Sequence, residues 1–229
     1  MFLFLSGIGL WFSWIKTPSA RHFFMKRYLR VYPAWLIVAC FYYIPRFHGG
    51  DLMAWIDLIG DITINWDFWL HDELTFWYIP ATMLLYCFAP AYMELIRRHP
   101  IYRWLVVVMI LWCVLVQYVT PIHQVVGHIE IFWSRVPIFF IGINMGEMVR
   151  SKQRIDGTGI WMILIMFVMT LFTSIFLEQS RHGLFPLYIE RMLYIPLTLT
   201  TILLLNRVLR RTPRWFNKAF KFVGALRLE

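Results

Sequence analysis

Charged residues in this chain come in clumps, and between the clumps run long stretches with no charge at all. Five stretches stand out: 1–15, 31–45, 74–93, 104–129 and 157–177. An α-helix rises about 1.5 Å per residue, so crossing about 30 Å of hydrocarbon takes roughly 20 residues. Three of the five runs reach that length unaided. The run 31–45 is short, and starting its helix at Tyr28 or Leu29 extends it, with Arg30 reaching back to the headgroups. Two more apolar segments are interrupted by charge: 131–148 carries Arg135, and 184–205 carries Glu190 and Arg191. The pattern predicts an all-α, multi-spanning helix bundle of about seven crossings, forming one domain over residues 1–229. The connection 46–73 alternates Trp55, Ile56, Ile59, Trp66 and Phe68 with acids. It reads as a folded extracytoplasmic cap, or an interfacial helix, over the membrane mouth.

Composition agrees with this picture: 60% of the residues are apolar, 15% are charged, and mean hydropathy is +0.61. A water-soluble globule of 229 residues could not bury that much apolar surface. The aromatic share of 19% suits helix ends set among lipid headgroups. A net charge of +9 would suggest nucleic acid in a soluble chain, so its placement decides. Taking alternate connections as cytoplasmic puts 18 of the 22 Lys and Arg on one side with four acids, and four Arg with nine acids on the other. The charge thus records orientation in a bacterial-type inner membrane, with the first residue outside, and argues against nucleic acid as a partner. Lys16, Arg21 and Lys26 follow the first apolar run, the reverse of a secretory signal peptide. An earlier crossing is therefore expected before Met1. A last apolar pattern beginning at Phe220 stops without crossing, so the chain is expected to be incomplete at both ends.

Most titratable residues offer little chemistry. Cys40, Cys87 and Cys113 sit singly in apolar runs and read as small hydrophobes. His123 and His128 are five apart, which matches no zinc motif, so no metal is expected. No Gly-rich phosphate loop or nucleophile elbow is present. Arg135, near the outer end of its segment, either orients an acceptor and stabilises an oxyanion or forms an ion pair with Glu130 or Glu190. Glu190 and Arg191 neutralise each other or snorkel. His71, Asp72 and Glu73 precede the Trp77 crossing and face an acceptor cavity or form an ordinary polar helix start.

The sharpest local feature is Arg21-His22-Phe23-Phe24-Met25-Lys26-Arg27-Tyr28-Leu29-Arg30-Val31-Tyr32-Pro33. In a helix Arg27 and Arg30 share a face, and two guanidiniums so placed grip phosphate in bidentate geometry. The plainer reading is an anchor on anionic lipid headgroups.

This run, preceded by Phe2-Leu3-Phe4-Leu5-Ser6-Gly7, resembles the acyltransferase family of type three, integral-membrane enzymes that typically O-acylate cell-surface polysaccharides. Phe76-Trp77-Tyr78-Ile79-Pro80-Ala81 with Leu85-Tyr86, Arg135-Val136-Pro137-Ile138-Phe139-Phe140-Ile141-Gly142 and Phe222-Val223-Gly224-Ala225-Leu226 continue the resemblance in order. It implies an acyl-CoA donor, acetyl-CoA above all, docked by Arg27 and Arg30. It implies a glycan acceptor beyond the membrane, and no tightly bound cofactor. Arg135, Glu73 and Trp77 become candidates for the central or acceptor-side cavity. The family's general base, a His in its first crossing, is expected before Met1, which leaves the catalytic base unassigned here and the 229-residue chain inactive by itself. At the other end, Arg227 stands where the family usually has a small residue or Ser. The competing readings are a transporter or exporter of a glycan or lipid intermediate and a non-enzymatic scaffold. Against the former stands the lack of an internal repeat.

Overall fold

A computed structural model describes residues 2–71, 73–151, 157–180, 196–198 and 200–205. The described residues are helical or irregular, with no strand among them, and the chain divides into two compact units, Met1–Gln153 and Arg154–Glu229. In the first unit the helices are α1 (Phe2–Lys16), α2 (Ala20–Tyr43), α3 (Leu52–Ile64), α4 (Trp66–Leu70), α5 (Tyr78–Arg98), α6 (Leu105–Tyr118), α7 (Thr120–Val126), α8 (Glu130–Trp133) and α9 (Val136–Arg150). In the second unit α10 (Gly157–Ser180) is an uninterrupted apolar helix.

Among the described residues, one helix, α5, is long and apolar enough to cross a membrane by itself. A second qualifies if Pro100–Val116 and Thr120–Trp133, bent by 97° at their junction, count as one broken span. The uninterrupted run at 104–129 is thus not one straight helix. Pro121 sits in the first turn of α7, where its missing N–H costs nothing, and the chain turns there. The segment 131–148 also divides, into α8 and α9, with Pro137 in the first turn of α9.

Helix α2 corrects the expected boundary most. It starts at Ala20, eight residues before Tyr28, capped by Ser19, whose hydroxyl accepts from the His22 N–H at 3.4 Å. Arg21, Lys26, Arg27 and Arg30 therefore lie on the helix instead of in a connecting loop. Lys and Arg are good helix formers whose long stems carry the charge away from apolar surroundings, so a charge cluster need not end a helix.

Packing fixes the helix directions. A Cβ on Gly7 would stand 2.4 Å from the Phe139 carbonyl oxygen, one on Gly142 2.3 Å from that of Phe4, and one on Gly146 2.5 Å from the Trp11 Cβ. Residues 4 and 7 thus meet 139–143 while residue 11 meets 146, so α1 and α9 run parallel, with backbone contact at Gly7 and Gly142. Glycine is required at this seam because any side chain would force the helices apart. The Trp11 Nε1–H donates to Glu147 Oε2 across it at 2.9 Å. Tyr86 against Phe139 and Tyr92 against Phe140 make α5 parallel to α9 as well. By contrast, α2 runs antiparallel to α5: Tyr28 meets Met83 and Cys87, while Trp35 meets Phe76. Helix α6 is antiparallel to α9, with Arg103 beside Asn144 and Cys113 beside the Trp133 carbonyl. Lys16, Arg21, Arg97, Arg98, Arg103 and Arg150 therefore gather at one end of this unit.

The opposite end carries α3 and α4. Asp51 caps α3 by accepting from the Ala54 N–H at 3.2 Å. Asn65 closes α3 with φ +58°, a left-handed conformation that asparagine tolerates better than most residues. Its buried Oδ1 accepts from the Tyr43 hydroxyl at 2.8 Å, tying the cap to the end of α2. Leu58 and Ile62 pack with Trp35, Ala39 and Tyr43 beneath it.

Candidate functional site

Two groups of side chains in the first unit are candidates for a functional site. The first lies on α2. Phe23, Arg27 and Arg30 stand at i, i+4 and i+7, on one stripe of the helix. Phe23 is buried edge-on against Trp14 of α1 and Tyr86 of α5. Arg27 follows one turn later, half-buried, and Arg30 is exposed. Neither guanidinium has a hydrogen-bond or ion-pair partner among the described residues. Tyr28 supports them from the neighbouring position. Its hydroxyl donates to the Met83 carbonyl at 2.7 Å, so in the 2.9 Å contact with Cys87 Sγ the thiol supplies the proton. This fixes the rotation of α2 against α5 and hence the direction of the arginine stripe. Ser6 of α1 and Tyr86 of α5 share a hydrogen bond of 2.9 Å beside Phe23. The sequence marks Ser6 and Tyr86 only as parts of two motifs, and their meeting across 80 residues is a tertiary fact.

The second group lies at the capped end. Arg135, half-buried just before α9, places its guanidinium carbon 5.9 Å from the centre of a Trp77 ring. The geometry is that of a cation–π contact, which holds a charge against an aromatic wall without neutralising it. Two of the three acceptor-side candidates are therefore neighbours. Glu73, the third, is exposed on the preceding turn, where its carboxylate accepts from the Thr75 hydroxyl and its backbone N–H donates to the Asp67 carbonyl at 3.1 Å. His71 lies 3.2 Å from the Asp67 carboxylate. Asp72, Glu190 and Arg191 lie outside the described residues. Trp35 of α2 is level with Phe76, so Arg30 and Arg27 stand about 8 and 12 Å along α2 from the Trp77 end. The structure thus separates the two groups along the bundle.

His123 and His128 are otherwise engaged. His128 Nε2 donates to the Trp69 carbonyl at 2.9 Å and His123 Nδ1 to that of Val116 at 3.2 Å. Among the described residues, no three His, Cys, Asp or Glu side chains converge on a point where a metal ion would sit.

Asp61 is the most perturbed carboxyl of the cap. Burial pushes it up to about 6, assisted by the Asp67 carboxylate and opposed by the Asp67 backbone N–H, which it accepts at 2.9 Å. A carboxyl raised in the folded state binds its proton more tightly there than in the unfolded chain, whose value is about 3.9. Its contribution to stability is therefore full below pH 4 and falls as pH rises from about 4 to 6. Asp61→Asn keeps an oxygen acceptor for the Asp67 N–H and removes the charge. The variant is expected to match the parent below pH 4 and exceed it at pH 7.5 by less than about 1 kcal/mol, because solvent screens this half-exposed site. Thermal midpoints from below pH 4 to pH 8 check this, and a variant profile parallel to the parent's would refute it.

A family model described as an acyltransferase domain matches residues 1–226. No curated protein and no solved structure matches the chain.

Proposed function

The chain belongs to the acyltransferase 3 family, a membrane-associated family of acyltransferases, and on that premise we propose that it transfers an acyl group, acetyl in the simplest case, from acyl-CoA to a hydroxyl of an exported or cell-surface glycan. The observation that carries the donor half is the stripe on α2: two guanidiniums three residues apart, without protein partners among the described residues, on a helix whose start lies at the basic end. An acyl-CoA brings several phosphate charges, and charge-assisted forks from Arg27 and Arg30 suit them. The alternating helix directions support a topology in which Lys16, Arg97, Arg98 and Arg150 face the cytoplasm of a bacterial-type inner membrane and 46–73 caps the outer side. Crossings by α1, α2, α5, the bent α6–α7 pair, α9, α10 and the segment 184–205 complete the proposed seven.

In the reaction, a glycan hydroxyl attacks the thioester carbonyl. An ester C–O bond forms, the C–S bond breaks, and the hydroxyl proton passes to a base and from it to the departing sulfur, so that CoA leaves as its thiol. Arg135, held against Trp77, is suited to orient the acceptor or to stabilise the oxyanion of the tetrahedral intermediate. Glu73 and Trp77 are proposed for the same acceptor end. No resident cofactor is required. Native membranes given radiolabelled acetyl-CoA on the cytoplasmic face are expected to place label in surface glycan. Unlabelled glycan, with the full-length protein present and the donor intact, would overturn the assignment.

A further inference from the structure

Arg103 lies in the 3₁₀ turn Pro100–Trp104 that leads into α6, at the basic end of the first unit. Its carbonyl accepts from Asn144 Nδ2 at 3.1 Å, and Asn144 Oδ1 accepts from the Tyr92 hydroxyl at 2.8 Å. This chain of bonds clamps the turn to α9 and α5 through the backbone of Arg103 and leaves its side chain uncommitted. The guanidinium Nε is buried and has no hydrogen-bond partner, and the residue forms no ion pair among the described residues. Its charge lies within electrostatic reach of Tyr92.

The neighbouring helices do supply carboxylates, but these are taken. Glu94 of α5 holds Arg97 at 2.7 and 2.8 Å and Arg98 at 2.7 Å, and Glu147 of α9 receives Trp11 Nε1. A buried charged donor without an acceptor is costly, and an anion offering two oxygens satisfies Nε and an adjacent Nη together. Lys16 and Arg150 at the same end add a positive field, which favours a doubly charged ligand over a single carboxylate. The geometry points to Arg103 as a phosphate-binding site between α5, α6 and α9, distinct from the α2 stripe. The phosphate belongs either to a nucleotide, a source that rests on the function proposed above, or to a lipid headgroup, which does not.

Two probes distinguish the sources on the whole chain in detergent: coenzyme A by titration, and retention of phosphatidic acid, a phosphate monoester, by native mass spectrometry. Arg103→Gln is expected to weaken at least one probe tenfold or more, with no fall in thermal midpoint when neither probe is present, since Nε has no protein bond to lose. Arg103→Lys keeps the charge but loses the planar fork, and is expected to weaken the same probe at least threefold. It also provides the readout if the glutamine variant does not fold. Loss confined to lipid assigns a headgroup; loss of coenzyme A assigns a nucleotide. Affinities for both probes within twofold of the parent in the folded variants would overturn the site. Failure of the donor assignment at Arg27 and Arg30 would leave the lipid result intact, so the two readings fail separately.

Discussion

Replacing Gly142 by leucine is expected to leave no folded protein, and replacing it by alanine to cost about 3 kcal/mol or more. The obstacle is backbone: a Cβ at 142 would sit 2.3 Å from the Phe4 carbonyl oxygen and 3.1 Å from its carbonyl carbon, and no rotamer change can move either. Helices α1 and α9 would have to separate by about 1 Å, forfeiting a quarter to a half of each dispersion contact along the seam. Gly7 repeats the conflict from the other side, facing the Phe139 carbonyl oxygen and the Ile143 nitrogen. An internal control is available at Gly9, where a Cβ meets nothing within 4 Å. Gly9→Ala is expected to be neutral or to stabilise by up to about 1 kcal/mol, through helix propensity alone. Unfolding of the purified protein in detergent, followed by tryptophan fluorescence, compares the three. A Gly142→Ala variant within 0.5 kcal/mol of the parent, on the scale of about 1 kcal/mol for propensity, would show that the seam is not the close contact described.

The glycine seam also marks how far the sequence could be read. Gly142 and Gly146 stand four apart, a small-residue spacing that favours close helix contact, yet the same spacing gives no hint that the partner is α1. The all-helical class, and the family, were legible because uncharged runs and ordered motifs are local features. The start of α2 was not, because a cluster of Arg and Lys has the composition of a cytoplasmic loop, whereas Ser19 caps a helix that runs through it. The break after α6 was concealed by an apolar run that continues past Val119, although Pro121 was visible as a signal. Arg135 and Trp77 lie 58 residues apart, and Ser6 and Tyr86 lie 80 apart. Such pairs are produced by packing, and no periodicity in the chain encodes them.

Arg27→Ala/Arg30→Ala is expected to weaken coenzyme A binding about 100-fold. Each charge-assisted hydrogen bond to phosphate contributes roughly 1.5–3 kcal/mol, and exposure of Arg30 places its share at or below the lower limit. A total near 2.8 kcal/mol is a factor of about 100. The corresponding lysine pair keeps both charges but loses the planar forks, and is expected to recover part of the affinity while discriminating less between phosphate and other anions. Raised salt is expected to weaken the parent more than the alanine pair, because the charges that salt screens are absent from the variant. Folding should be unaffected, since neither guanidinium has a protein partner among the described residues and Tyr28, which holds α2 to α5, is retained. Isothermal titration at two salt concentrations, with the thermal midpoint as a folding control, provides all three readouts. The lipid-anchor reading makes the opposite forecast: altered retention of anionic lipid, with coenzyme A affinity equal to the parent's. That outcome would remove Arg27 and Arg30 from the donor site.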